Sequence, residues 1–282
     1  MGFEPLPLLL SMAAAVTPGP SADLAAVQQA CLTATQQGDV AQQEVLRDRL
    51  LEMHPNPKGL QTVLAQARAL MSCGSPQSAF RVLSRYGPNS EERRPWLLLR
   101  WEAAAASLDH PRAALALRRL VDGDIQALEQ EQLPGQRNGL NQLAYHEAAA
   151  GQSGEAAAVL LVGRAGGRVG AERLGRAAEL VADENPEQAD QWLEQALEQA
   201  SAAEAWGQAV ALLQLQLRLQ LAAGGDGARP RERLLRLTAR LDDRYGSWQL
   251  DGSSSATEAL PRSPRDPGGH AAVGEPSSAP SP

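Results

Sequence analysis

Lysine is nearly missing from this chain: Lys58 is the only one, and every other basic side chain is arginine. That scarcity removes two chemistries. A phosphate-cradling Walker loop needs a lysine beside a serine or threonine, and pyridoxal enzymes need one for the Schiff base. Lys58 stands in HPNPKG, a proline-rich turn that suits neither. Isoleucine also occurs once, as Ile125, and only ten of the 282 residues are aromatic. β-Branched and aromatic residues dominate strands, so a β-sandwich is disfavoured and closely packed helices are favoured. Cysteine is limited to Cys31 and Cys73, too few to hold zinc, and His54, His110, His146 and His270 are scattered without ligand spacing. The two cysteines lie in separate amphipathic stretches and read as buried free thiols; a disulfide stays open to them if the protein is exported. Positive charge is short as well. At a net charge of −7 there is no basic field to hold nucleic acid.

Long apolar runs are also lacking. The longest, Leu6 to Val16, has 11 residues and is too short to span a bilayer, so no integral membrane segment is expected. It could be the core of a signal peptide, with Ala13 to Ala15 as the cleavage site. But Glu4 precedes it and no positive charge does, so residues 1–20 read as a flexible arm or a weak signal-like segment. The expected compartment is the cytoplasm, or an exported location if that run is a signal. Residues 251–282 are mostly Ser, Pro and Gly and have little to bury, so they read as a disordered tail.

What fills residues 21–250 is alanine and leucine at helical spacing. Val45, Leu46, Leu50 and Leu51 form one apolar set, and Leu174, Ala177, Ala178 and Val181 another. Breakers punctuate the pattern at Gly38-Asp39, Pro55 to Pro57, Gly74 to Pro76, Gly87-Pro88, Asp109 to Pro111, Pro134-Gly135, Gly151, Asn185-Pro186 and Gly224-Gly225. The segment LLQLQLRLQL, Leu212 to Leu221, alternates like a strand. Its residues are good helix formers without β-branching, so it reads as a helix with leucines all round, buried on several sides. The fold class is all-α.

The turns inside successive helix pairs fall at Gly38, Gly74, about Leu108-Asp109, Gly151 and about Asn185. Their spacing is about 34–36 residues, apart from one longer interval holding DGDIQALEQEQLPGQ, an inserted short helix and turn. The clearest unit is NGLNQLAYHEAAAGQSGEAAAVLLVGRA, Asn138 to Ala165. Around Gly151 it places Ala144 seven residues before, Ala156 five after, Leu160 nine after and Gly163 twelve after. Around Gly74 the same offsets give Ala67, Ala79, Leu83 and a bulkier Tyr86. The Gly38 unit has Cys31 before and Gln43 and Arg47 after, and near Leu108 the register loosens, with Trp101 in a small-residue position. This pattern resembles the tetratricopeptide repeat. The resemblance implies a right-handed α-solenoid of stacked helix-turn-helix units, with the first helix of each pair lining a concave groove. By those offsets the groove residues are Gln28, Gln61, Arg68, Glu102, Asn138, Asn141 and Tyr145.

Catalytic motifs fail on their spacing. His146-Glu147 begins a metalloprotease motif whose second histidine would be Ala150. In Gly151-Gln152-Ser153-Gly154 the glycine needed two after the serine is Glu155. The glycine loop of VLLVGRAGGRVGAERL lacks a Walker lysine and has Ala165 where the dinucleotide fingerprint needs glycine. It reads as a join between repeats: Gly163 packs, Gly166, Gly167 and Gly170 turn the chain, and the next helix starts at Ala171. Trp96, Trp101, Trp192 and Trp206 read as core or inter-repeat packing. No cofactor is expected. The function expected is a non-catalytic scaffold that binds a protein or peptide; an all-helical enzyme or ligand carrier, or an exported envelope-associated repeat protein, are the alternatives.

Overall fold

The computed structural model describes residues 20–243 except Asn56 and Arg164, together with Gly246 and Leu250. The N-terminal apolar run, the tail and Arg164 of the glycine loop lie outside the described residues. Among the described residues the chain is almost wholly helical, with no helix long and apolar enough to cross a membrane. Packing divides them into two compact units, one ending at Gly123 and the other beginning at Asp124.

The first unit holds α1 (Pro20–Gln37), α2 (Val40–Met53), α3 (Leu60–Ser72), α4 (Pro76–Leu83), α5 (Arg93–Ala106) and α6 (His110–Leu120). Each consecutive pair packs together, and α1 lies on α3, which lies on α5. The starts are capped as the sequence implies. Asp39 accepts from the Gln42 amide and Asp109 from the Arg112 amide, while Pro76 and Pro111 occupy first-turn positions. In the turn leading into α5 the bonds are reciprocal: the Asn89 side chain accepts from the Glu92 amide at 3.0 Å, and the Glu92 carboxylate from the Asn89 amide at 3.2 Å.

The ends of α1, α3, α5 and α6 share one closure. After α3 the Gly74 amide donates to the Met71 carbonyl and the Ser75 amide to the Leu70 carbonyl. That is a Schellman closure, which requires a left-handed residue, and Gly74 takes it at φ +65°. After α5 the same bonds run from Leu108 to Ala105 and from Asp109 to Ala104. There the left-handed residue is Leu108, at φ +57° and 72% exposed. A branched side chain in that conformation costs about 1 kcal/mol or more relative to glycine.

The core of this unit runs through Val27, Leu50, Val63, Leu70, Val82, Leu83 and Leu97. The positions seven before the turns are all enclosed: Cys31, Ala67 and Trp101 are each at most 1% exposed. Val45, grouped with the apolar face of α2 on spacing, is exposed, since Leu46 and Leu50 alone turn fully inward. The two cysteines are not free thiols: they form a disulfide across 42 residues, with Cα atoms 4.8 Å apart. Reading them in separate stretches overlooked that α1 lies on α3, which brings the middle of one helix to the end of the other. Gln66, fully buried on α3, donates to the Leu50 carbonyl at 2.6 Å.

The second unit holds a short 3-10 turn (Ile125–Glu129), a minimal antiparallel pair β1 (Gln132–Leu133) and β2 (Arg137–Asn138), then α7 (Gly139–Ala149), α8 (Ser153–Val162), α9 (Gly167–Val181), α10 (Pro186–Ala202), α11 (Trp206–Ala222) and α12 (Ala228–Arg240). The inserted segment is therefore a short helix and turn, as expected, with a two-residue ladder added. Successive helices pack on one another from α7 to α12, and α9 also lies on α11. Ala144, Ala156 and Leu160 of the Gly151 unit are each at most 1% exposed. The alternating segment is helical within α11, but its burial is less complete than expected. Leu212 and Leu213 are buried, Leu215, Leu217 and Leu219 half-buried, and Leu221 exposed. Of the tryptophans expected to pack, Trp96 and Trp101 are buried and Trp192 half-buried, whereas Trp206 at the start of α11 is exposed.

Two outcomes follow for the first unit. Replacing both Cys31 and Cys73 by alanine, or reducing the bond, should destabilise the fold by about 2–4 kcal/mol, read from denaturant midpoints. Zero free thiols should titrate in the unfolded, unreduced protein. Leu108→Gly should raise stability by about 1 kcal/mol, read from the same midpoints, because the left-handed penalty disappears.

Candidate functional site

Two constellations combine charge, rings and restricted exposure. The first lies in the first unit, on α4, α5 and α6. From Pro76 to Leu120 the chain carries eight arginines against four carboxylates, a local excess of positive charge in an acidic chain. Helical spacing puts Trp96 and Arg100 one turn apart on α5, and packing of α4 on α5 brings Phe80 beside them. The Arg100 guanidinium lies 4.4 Å from the centres of both the Phe80 and Trp96 rings. Arg112 of α6 reaches the Phe80 ring at 5.2 Å. Trp96 is anchored by its indole N–H, which donates to the Leu83 carbonyl at 2.9 Å. Burial, followed by repulsion from Arg119 and Arg112, pulls the Arg100 pKa below the ordinary arginine value.

Two open clefts flank this stack. One, of about 700 Å³, is lined by Phe80, Arg81, Ser84, Leu108, Pro111 and Arg112 among others. The other, of about 420 Å³, is lined by Asn89, Arg93, Trp96, Leu97 and Arg119 among others. Asp109 pairs with Arg112 at 2.7 Å and Asp122 with Arg93 at 2.9 Å. Among the described residues, Arg81, Arg100 and Arg119 have no carboxylate within ion-pair distance. Beside the second cleft Tyr86 donates to Glu92 at 2.8 Å, and that hydrogen bond, with burial and the nearby negative charge, raises the Tyr86 pKa.

The second constellation is internal to the second unit. Arg173 of α9 is 4% exposed and meets Glu129 through two parallel hydrogen bonds of 2.6 and 2.7 Å. Its Nε is enclosed without a partner. Gly163 makes the space: a Cβ there would run into both the guanidinium and the carboxylate. The packing role read for Gly163 is thus accurate, while α9 starts at Gly167, earlier than Ala171. Gly170 lies inside that helix, where a Cβ would strike the Ala165 carbonyl and the Gln199 side chain, so it serves close packing rather than the turn. Further along, Gln216 is fully buried on α11 and donates to Asp190 and Glu194 at 2.8 and 2.7 Å, beside a cavity of about 50 Å³. Both clusters tie helices together and leave little room for a ligand.

The groove residues expected from the repeat offsets separate. Gln28 is half-buried, and its side-chain amide donates to the Ser72 hydroxyl at 3.2 Å, which in turn donates to the Arg68 carbonyl. Gln61 and Arg68, seven apart on α3, are exposed, and Glu102 on α5 is half-buried. Asn138 caps α7, accepting from the Asn141 amide and donating to the Glu129 carbonyl at 2.9 Å. Asn141 is half-buried with its Oδ1 enclosed, and Tyr145 is exposed, edge-on to buried His146 with ring centres 5.2 Å apart. Gln28 and Arg68 are therefore brought together through Ser72. In the second unit, Asn138 and Asn141 meet in a cap.

The arginine stack is not evident from the sequence because charge is averaged over a chain at −7 and Trp96 reads as core or inter-repeat packing. The local imbalance from Pro76 to Leu120 was the available signal. Comparison with known proteins finds no matching family model and no significant match among curated proteins.

Substituting Glu129 by alanine should cost about 2–3 kcal/mol, since it strands a buried guanidinium; the partial exposure of Glu129 keeps the loss below the range for a fully buried pair. A Glu129→Ala, Arg173→Met double variant should recover much of it. Equal midpoints for wild type and Glu129→Ala would show that the pair does not stabilise the unit.

Proposed function

We propose that the chain is a non-catalytic scaffold of tetratricopeptide-like helix pairs that binds a protein or peptide partner, and that α4–α6 carry its principal binding face. The observation behind this reading is the Arg100 stack. Cations without paired carboxylates and two aromatic rings are assembled on rigid helices, beside open clefts. Arginine and aromatic residues are the types that anchor protein interfaces. The repeat reading is supported by the recurrent turn closure and by the enclosed positions Cys31, Ala67, Trp101 and Ala144. The first-helix face with Gln61 and Arg68 is a second surface on the same scaffold.

The working compartment we infer is an oxidising one. A buried disulfide between Cys31 and Cys73 suits an exported protein, since cytosolic thiols are held reduced. Mass determination of the mature chain from its native cell tests this: a loss of two hydrogens together with a processed N-terminus is expected.

Affinity capture with three versions of the chain tests the scaffold reading. Wild type and a Gln61→Ala, Arg68→Ala variant should retain the same partner, and an Arg81→Glu, Arg119→Glu variant should lose it with an unchanged melting temperature. Equal capture by all three overturns the assignment of α4–α6 as the binding face.

A further inference from the structure

We infer that the α4–α6 face recognises an acidic peptide segment carrying an aliphatic side chain, with the carboxylates on Arg81, Arg100 and Arg119 and the aliphatic group against Leu108 and Phe80. This rests on the scaffold reading and names the chemistry of its partner.

Charge carries the first step. Arg100 is half-buried, stacked on two rings and faced by Arg112 and Arg119, so like charges converge where water is partly excluded. The carboxylates nearby, Asp109 and Asp122, are engaged with Arg112 and Arg93, which leaves Arg81, Arg100 and Arg119 to an incoming anion. A guanidinium offers a planar fork that matches a carboxylate with two hydrogen bonds. Arg81 and Arg112 line one cleft, Arg93 and Arg119 the other, and Arg100 stacks on one ring from each, Phe80 and Trp96, an extended arrangement suited to a chain of carboxylates rather than one isolated ion.

Leu108 carries the second step, independently of charge. Other pair-internal turns, at Gly74 and Gly151, place glycine in the left-handed position, at φ +65° and +79°. At the equivalent turn this chain holds a leucine at φ +57°, with 72% of its surface in water, on the rim of the larger cleft. Such a residue loses stability twice, by backbone strain and by apolar exposure. A bound aliphatic side chain covering Leu108, Pro111 and the Phe80 edge accounts for its presence.

The same geometry disfavours a nucleic acid. Arg100 lies over Phe80 and Trp96, Arg112 also lies over Phe80 and Trp96 is buried, which leaves little ring face for a base to stack on. Arg81, Leu108, Arg112 and Arg119 of this face lie on the second helices α4 and α6 and the turn before α6, apart from the first-helix positions at which the repeat resemblance puts its groove.

The test is titration of the full chain with a labelled peptide of aspartate and glutamate around a central leucine, at low and moderate salt. Wild type should bind, more weakly as salt rises. Arg81→Glu, Arg119→Glu should weaken binding about tenfold or more. Leu108→Gly should bind several-fold more weakly while melting at a higher temperature, so its loss of affinity cannot be misfolding. Replacing the central leucine of the peptide by serine should weaken binding to wild type and leave Leu108→Gly little affected. Peptide affinity unchanged in both protein variants overturns the inference, as does a single-stranded oligonucleotide or inorganic phosphate binding this face more tightly than the peptide. If the peptide fails to bind but the native partner is still captured through Arg81 and Arg119, only the acidic-peptide chemistry falls. If neither is captured, the scaffold reading falls with it.

Discussion

Each described α-helix buries apolar residues that its own length cannot cover, and most of the cover comes from another helix. With so few aromatic and β-branched residues, that cover has to come from backbones approaching closely over small side chains. The enclosed alanines Ala67, Ala103, Ala144 and Ala156 mark where this happens. Short turns closed by paired amide–carbonyl bonds then follow, because a partner helix packed this closely must begin within a few residues. At one close approach glycine stands in place of alanine: a Cβ on Gly175 of α9 would meet Leu212 of α11.

Close packing of helices also determines how polar groups enter the interior. The guanidinium of Arg173 is tolerated beside Gly163 because Glu129 returns to meet it, and the inserted segment is what delivers Glu129. Gln66 and Gln216 are enclosed for the same reason: each bridges one helix to a neighbour, the first to a backbone carbonyl of α2 and the second to two carboxylates of α10. Such links do more to define which helix meets which than to add net stability, because desolvation offsets most of their attraction.

The α4–α6 face stands apart because it works against this economy. Arg100, without a paired carboxylate, stacks on two rings between clefts lined by Arg81 and Arg119, and an exposed leucine occupies a left-handed position that glycine would fill without strain. Local choices elsewhere agree with the fold: aspartate caps, proline in first turns, glycine after helix ends. A neighbourhood in which several choices disagree with stability at once is where function is expected to be stored.

Read alone, the sequence was sufficient for the all-helical class, for the helix breaks from Gly38 to Gly224 and for the enclosed residues around Gly74 and Gly151. These depend on local periodicity, capping and turn chemistry, which act over a few residues and are written directly in the chain. It also excluded a Walker loop by the missing lysine and a metalloprotease motif by spacing. It did not show that Cys31 meets Cys73, that Glu129 meets Arg173, or that Arg100 lies between Phe80 and Trp96. It also left Gln28 and Asn138 as candidate groove residues, where the folded chain engages one with Ser72 and the other in a cap. Each of these turns on which helix faces lie together. That is decided by the summed packing of many small contacts between residues distant in the chain, and no short stretch of sequence carries that sum.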